Sequence, residues 1–337
     1  MRLAVDATAV APGAKGIGRV AKGTAEALAA DGVDVTALVQ ADVALAAPIE
    51  AVRARPALLW EQVGLARAAR RFDAVLTFTE RLPVVPGGRF VVWLYELPAR
   101  RIEQNRDAGA YQRGSDAVTR LLWKPSLRRA SRVLAGSEAT ARELRTALPG
   151  LDVRVVYPGL DPRFSPGPGR GGERYVLHLG STDPRDNTDA VLHAFALARA
   201  RLREPVRLLV AGGAAGRVAE GIESLGRVSD EELVDLYRGA AAYVDATLYE
   251  GFGYQPLEAM ACGTPVVAST STSTPEVVGD AAVLADPRDA GALSDALVRV
   301  LEEPGLVDDL RRRGLERAGE FTWRRTVDAL LDGIGHA

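Results

Sequence analysis

The sequence predicts an α/β protein built from two doubly wound parallel sheets, one in each half of the chain. Three observations lead there. The chain has 337 residues, more than one ordinary hydrophobic core supports. Apolar runs of strand length alternate with stretches of three-and-four apolar spacing in both halves, which is the βαβ signature. Between Pro158 and Gly172 the text changes to PGLDPRFSPGPGRGG, whose proline and glycine content reads as an interdomain linker.

Taken in order, RLAVDATAV is a first strand, GRVAKGTAEALAADG has helical apolar spacing, and DVTALV is a second strand. DAVLTF, RFVVWLYE, ASRVLAGS and VRVVYPG continue the strand series up to the linker. The second series opens with RYVLHLG, a helix in TDAVLHAFALARAR, and VRLLVAGG. It goes on through LVDLYRGAAAYVDA, TPVVAS and AAVLA. Pro256 suits a first helical position and Gly263 the residue just past a helix end, so PLEAMAC reads as a short helix with Glu258 in its first turn. FTWRRTVDALLDGIGHA again has helical apolar spacing. No fixed-period repeat interrupts either series.

A 47% hydrophobic and 26% charged composition is that of a globular protein. The N-terminal text MRLAVDATAVAPG lacks the features of a secretory signal, and no apolar run approaches the ~20 residues of a membrane helix. One cysteine, Cys262, excludes an internal disulfide framework, and three scattered histidines offer little for a zinc site, so a reducing cytoplasm is expected. The net charge of -2 conceals an asymmetry: up to Tyr157 there are 23 Lys+Arg against 16 Asp+Glu, and beyond it 19 against 28. A basic N-terminal half suits an anionic acceptor or peripheral membrane contact, though solvated helix faces explain it equally well. Nothing points to nucleic acid.

In sheets of this kind ligands sit outside the carboxyl ends of the strands, so the loops there hold the candidate site. Glu250 precedes Gly251, Phe252 and Gly253, where bare backbone and the start of a helix favour an anionic or hydroxyl-rich ligand. A capping box would explain Glu258, but Tyr254 and Gln255 are poor caps for it. Glu250 has no local structural reason to be there; it suits sugar hydroxyls and, as a charge, a developing oxocarbenium ion.

YEGFGYQPLEAMACGTPVVAS resembles the donor-site signature of the retaining glycosyltransferases of family four, with two glutamates separated by seven residues. GRVSDEELVDLYRGAAAYV, STPEVVGDAAVLADP, AGSEATARELRTAL and VVYPGLDPRFSP are similar to the family's usual text. Within it, GAKGIGRVAKG is similar to the N-terminal loop of the mannosyltransferase-like branch. The resemblance implies a GT-B fold: two Rossmann-like domains facing across a cleft, residues 1–160 binding the acceptor and 161–318 the donor, with a helix in 319–337 crossing back. It implies metal-independent, retaining transfer of a hexose from a nucleoside diphosphate sugar, GDP- or UDP-linked, to a saccharide, lipid-linked or small-molecule acceptor, with no cofactor. Glu250 would contact the sugar, Gly251, Phe252, Gly253 and Tyr254 its hydroxyls and diphosphate, and Glu258 the ribose. Arg227 and Val228 would meet the base, and Gly16, Gly18 and Gly180 would let backbone approach the diphosphate.

Two departures from the family pattern stand out. LGSTDPRDN places Ser181 and Asp186 where the family has a diphosphate-gripping Arg and Lys, leaving Arg185 as the candidate cation unless it pairs with Asp183 or Asp186. VVWLYELPAR places Tyr95 and Glu96 where the branch has His-Asp, as candidates for orienting the acceptor hydroxyl. These departures keep open a non-catalytic homologue that binds sugar nucleotide or supports a partner. A glycoside hydrolase explains paired carboxylates but not the phosphate-friendly loops, and a dehydrogenase lacks the third glycine of its fingerprint. His178, His193 and Cys262 read as packing residues. Trp93 and Trp123 suit either the core or an acceptor ring, and Arg100, Arg101, Arg106, Arg113 and Arg120 an acceptor or lipid surface or a solvated face.

Overall fold

The computed structural model describes the chain apart from residues 12–15, 41–42, 54–55, 86, 100–109, 214–219 and 336–337, and the side chains of 110–113. Arg100, Arg101 and Arg106, the side chain of Arg113, and residues 13–15 of the first loop therefore lie outside the described residues. The chain divides into two compact units, one formed by Met1–Gly159 with Thr322–Ala337 and the other by Leu160–Phe321.

The first unit contains β1 (Leu3–Asp6), α1 (Ile17–Ala30), β2 (Val35–Val39) and β3 (Ile49–Ala51). There follow α2 (Ala57–Leu59), a π-helical turn at Trp60–Gly64, α3 (Leu65–Ala69), β4 (Ala74–Thr77) and β5 (Phe90–Leu94). Then come α4 (Ala110–Arg129), β6 (Arg132–Ala135), α5 (Glu138–Ala147) and β7 (Val153–Val155). The seven strands pair in the order β3-β2-β1-β4-β5-β6-β7, every pairing parallel. β1, β4 and β5 are buried along their whole length, which is why they read as continuous apolar runs rather than alternating ones. Leu38, Val75, Val92, Trp123, Leu127 and Leu144 lie in the core beneath the helices.

The second unit contains β8 (Tyr175–Gly180), a 3-10 turn at Pro184–Asp186, α6 (Thr188–Arg199), β9 (Arg207–Gly212), β10 (Ile222–Gly226) and α7 (Asp230–Gly239). After these come β11 (Ala242–Val244), α8 (Tyr254–Ala261), β12 (Val266–Ser269), α9 (Thr274–Val278), β13 (Val283–Ala285), α10 (Ala290–Glu302) and α11 (Leu306–Ala318). Its strand order, β10-β9-β8-β11-β12-β13, is that of a dinucleotide-binding sheet, reversing direction between β8 and β11. The helix α12 (Trp323–Gly335) belongs to the first unit, where the Thr326 hydroxyl donates to the Tyr157 carbonyl at 2.9 Å.

Two details differ from the sequence reading. The proline-glycine stretch is not a free tether. Phe164 is 3% exposed and meets the Tyr237 ring edge-on at 6.0 Å, while the Arg238 guanidinium donates to the Ser165 carbonyl at 2.8 Å. Arg170 N–H donates to the Asp235 carbonyl at 2.9 Å, so this stretch is fastened along α7 as part of the second unit. The edge strands β3 and β10 were not anticipated: neither carries the alternating or continuous burial that announces a strand, with exposure patterns of only one buried residue in β10 and none in β3.

Candidate active site in the second unit

The site grows from the carboxyl ends of β8, β11 and β12. Buried His178 ties the first two: its Nδ1–H donates to the Val244 carbonyl at 3.0 Å, which fixes Nε2 as acceptor for the Thr188 hydroxyl at 3.2 Å. Burial lowers its pKa to about 4, so the ring is neutral and structural. Gly180 ends β8 because nothing larger fits: a Cβ there would lie 2.6 Å from Thr188 Oγ1. Asn187, at φ 52°, donates its amide to the carbonyls of Ala246 at 3.1 Å and Pro287 at 2.7 Å, and Leu248 N–H donates to the Arg185 carbonyl at 2.8 Å. The loops after β8 and β11 are thus laced together.

A third loop, after β12, holds Glu250. Its N–H donates to Thr272 Oγ1 at 2.9 Å, and its carbonyl accepts from the Ser273 hydroxyl at 2.9 Å. Thr272 adopts φ 50°, a left-handed conformation that a β-branched residue reaches only under strain of about 1–3 kcal/mol, and such strain gathers at functional sites. Ser269 donates to the Thr247 carbonyl at 2.7 Å.

Gly253, at φ 97°, is the N-cap of α8. The helix therefore begins at Tyr254, two residues earlier than expected, and Pro256 is its third residue. Glu258 is its fifth, outside the first turn and unable to close a capping box. The other end is as expected: Gly263, at φ 80°, donates to the Met260 carbonyl at 2.9 Å while Thr264 N–H donates to Ala259 at 3.0 Å, closing the helix with a Schellman turn. Glu258 is 2% exposed, and its Oε2 accepts from the Tyr237 hydroxyl at 3.3 Å. The Phe252 side chain turns inward, edge-on to Tyr254 at 4.9 Å and Phe321 at 5.7 Å, so only its backbone is offered to a ligand. Arg227 and Val228 follow β10, the arginine exposed.

The electrostatics depart from expectation. Burial pushes the Glu250 carboxyl up to about 8, with the neighbouring Asp245 and Asp186 adding to the effect. At pH 7 its neutral acid form predominates, which corrects the expectation of a fixed charge. Arg185 is forked onto Asp183, Nε to Oδ2 at 3.0 Å and Nη2 to Oδ2 at 2.7 Å, and that pairing holds the Asp183 carboxyl below its ordinary value. Asp186 is raised by burial while Ser181 hydrogen-bonds it. Asp245, which sequence reasoning passed over, ends up beside Glu250; the signal was an acid directly after the apolar AAYV strand. Among the described residues no His/Cys/Asp/Glu group is arranged to hold a metal ion, and no helix is long and apolar enough to cross a membrane.

In the first unit, Gly16 is the N-cap of α1 at φ 56° and Gly18 is buried within it. Half-buried Tyr95 and Glu96 follow β5, and Gly136 is required beneath Tyr95, where a Cβ would come within 2.6 Å of the ring. At the carboxyl ends of β1 and β4, Asp6 accepts from the hydroxyls of Thr8 at 2.7 Å and Thr77 at 2.9 Å. Nearby, Glu61 of the π-helical turn pairs with Arg81 at 2.6 Å. Trp93 and Trp123 are core residues, so neither offers a face to an acceptor. His193 is exposed rather than packed, and Cys262, buried with its thiol pushed up to about 12, is no nucleophile.

Comparisons with known proteins fit this geometry. The family model described as Glycosyltransferase Family 4 matches residues 14–164, and Glycosyl transferases group 1 matches residues 173–303. O-antigen chain mannosyltransferase B of Escherichia coli is 40% identical over 170 residues, 47% of this chain and 45% of that protein. D-inositol 3-phosphate glycosyltransferase of Mycolicibacterium smegmatis is 32% identical over 241 residues, 62% of this chain and 53% of that protein. The chain thus spans about half the length of the curated relatives it matches. Among solved structures, sucrose-phosphate synthase from Thermosynechococcus elongatus superposes with a TM-score of 0.78 at 20% identity, covering 100% of this chain and 98% of that one. WaaG, a glycosyltransferase involved in lipopolysaccharide biosynthesis, gives 0.75 at 17% identity, covering 99% and 100%. Anabaena HepE in complex with UDP and glucose gives 0.73 at 16% identity and full coverage of both chains. These likenesses identify the fold as GT-B.

Proposed function

The chain belongs to the family 4 glycosyltransferases, and from that membership we propose that it is a retaining, metal-independent hexosyltransferase using a nucleoside diphosphate sugar. The observation that carries this reading is the placement of Glu250. Three loops lace it beside the glycine-framed start of α8, where the Gly251 N–H donates to its carboxyl group and the helix dipole favours an anionic or hydroxyl-rich ligand.

In this reading Glu250 hydrogen-bonds the donor sugar, and the backbone of Gly251, Phe252, Gly253 and Tyr254 receives its hydroxyls and the diphosphate. Glu258, steadied by Tyr237, takes the ribose hydroxyls once the nucleotide draws it outward, and Arg227 and Val228 border the base. Gly16, Gly18 and Gly180 permit close backbone approach. Arg185 neutralises the leaving group, for which it must share its guanidinium between Asp183 and a phosphate. The first unit supplies the acceptor groups Tyr95 and Glu96. In front-face transfer a leaving phosphate oxygen takes the acceptor proton, so the protein contributes positioning and charge complementarity rather than a dedicated base. The bound UDP and glucose of the HepE structures support a nucleotide-sugar donor, and the mannosyltransferases among the relatives support mannose as the hexose. Exposed Leu121 (73%) on basic α4 supports peripheral contact of the first unit with an anionic membrane.

Donor hydrolysis and transfer, measured with GDP- and UDP-hexoses on wild type and Glu250→Ala, test the reading. The expected result is turnover of one donor family with retained anomeric configuration, reduced at least a hundredfold in the variant. Turnover of no donor, with nucleotide affinity equal in both proteins, refutes it and favours a non-catalytic homologue.

A further inference from the structure

Asp245 follows β11 where the strand order of the second unit reverses, the place at which such sheets receive their ligands. It is 1% exposed. Its Oδ1 accepts from the Thr247 N–H at 3.1 Å and from the Thr247 hydroxyl, but its Oδ2 is buried with no hydrogen-bond partner. A buried carboxylate oxygen without a donor is costly, and each one in a native fold calls for a reason.

Among the described residues no cation is paired with it. Asp186 lies in the loop after β8, which is laced to the Asp245 loop on both sides of it by the Asn187 amide on the Ala246 carbonyl at 3.1 Å and the Leu248 N–H on the Arg185 carbonyl at 2.8 Å. Glu250 follows Asp245 by five residues. The Asp186 charge raises Asp245, and the charges of Asp186 and Asp245 both raise Glu250. The same acids act on Tyr243 of β11, as does Glu258 of α8. Arg185 is the cation that bears on Glu250, and Asp183 already holds it in a fork. Side-chain acids from three segments therefore crowd a place that, on the reading above, receives two phosphate charges. Carboxyls that raise one another in a buried site resist ionising together, and a proton they share belongs to the group rather than to one residue.

We propose that Asp186, Asp245 and Glu250 form one proton-holding cluster which takes up a proton from solvent as a sugar nucleotide binds, with Asp245 the positioning residue that keeps Glu250 protonated toward the sugar. The inference rests on the donor-site reading. Its chemistry is a single protonation: a solvent proton adds to a carboxylate oxygen, no other bond changes, and the added charge offsets one of the two incoming. Glu250 then meets the sugar as an acid that donates a hydrogen bond as well as accepting one. By linkage, a ligand that favours the protonated cluster binds more weakly as pH rises, by at most tenfold per pH unit for one proton. Burial raises Asp245 to about 6 and Glu250 to about 8, which places the window between those values.

The test is calorimetric titration of GDP- and UDP-hexoses at pH 6, 7 and 8 in buffers of differing ionisation heat. Sugar nucleotides serve because their diphosphate is esterified at both ends and does not itself titrate there. Wild type is expected to take up a fraction of a proton that peaks within this window, with affinity falling as pH rises; Asp245→Asn is expected to lose at least half of that uptake. Zero uptake in wild type, or equal uptake in the variant, overturns the proposal. A ligand-free measurement separates the two readings: carboxyl carbon NMR of wild type, Asp245→Asn and Asp186→Asn. Either substitution should move the Glu250 titration toward lower pH; an unmoved Glu250 overturns the cluster whatever the donor does. If no sugar nucleotide binds but Glu250 moves, the donor-site reading fails and proton uptake with it, leaving only the coupling of the carboxyls.

Discussion

Replacing Glu250 by glutamine should make the protein more stable and less active, and the stability gain should grow with pH. The folded state holds the Glu250 proton up to about pH 8, whereas an unfolded chain releases it near 4.5. Over that interval the folded form binds more protons than the unfolded form, so wild-type stability falls as pH rises from 4.5 to 8. Each unit of separation is worth about 1.4 kcal/mol, so at pH 7 the cost approaches a ceiling of about 3 kcal/mol. Glutamine has the shape of the neutral acid and cannot ionise. Near pH 4.5 the two proteins should therefore unfold alike, and at pH 7 Glu250→Gln should be the more stable by up to about 3 kcal/mol. Denaturant unfolding at pH 4.5, 7 and 8.5 reads this directly, because contributions from the first unit are common to both proteins and cancel in the difference. Transfer activity should fall in the same variant, as expected when a strained polar site is relaxed at the expense of function. A variant that unfolds before wild type at pH 8.5, or a gap that does not widen with pH, refutes the reasoning.

Two further outcomes follow from neighbouring residues. His178 should make the fold acid-sensitive: unfolded imidazole takes a proton as pH falls through 6.5, while the buried ring resists until about 4, so up to about 3 kcal/mol is lost on going down through that window. The comparison is with His178→Gln, whose unfolding should lack this component; parallel pH profiles would count against a neutral buried ring. Gly180→Ala should destabilise by about 1–3 kcal/mol, because the new Cβ, 2.6 Å from Thr188 Oγ1, must displace the hydroxyl that His178 holds; an unchanged unfolding midpoint would show that the β8 end can give way.

Much of this architecture was legible because parallel strands buried on both faces are written as uninterrupted apolar text, as in FVVWL and LAVD. The edge strands β3 (IEA) and β10 (IESLG) lacked that text, being interrupted by Glu50 and Glu223, whereas the opposite edges β7 and β13 lie in the longer apolar stretches VRVVYPG and AAVLA. Gly263 announced the end of α8 because only a residue free of a Cβ closes a Schellman turn cheaply, but Pro256 misplaced the start: Gly253 takes the left-handed cap two residues earlier than proline usually follows one. The Arg185–Asp183 pairing was visible as one of two options, and only the tight 3-10 turn between them decides it. Long-range effects were invisible. Nothing local in PGLDPRFSPGPGRGG says that Phe164 inserts against Tyr237. Nothing in AAYVDA says that Asp245 is left with an orphaned oxygen or that Asp186, from the loop after β8, is brought to it by the strand crossover.

The return of α12 to the first unit has a consequence for the order of events during synthesis. Residues 322–335 leave the ribosome only after all of Leu160–Phe321, so the unit encoded first is the one completed last. Until then α1 lacks the Trp323 ring that abuts Gly23, and the second unit, whose residues are contiguous, has everything it needs to fold ahead of it.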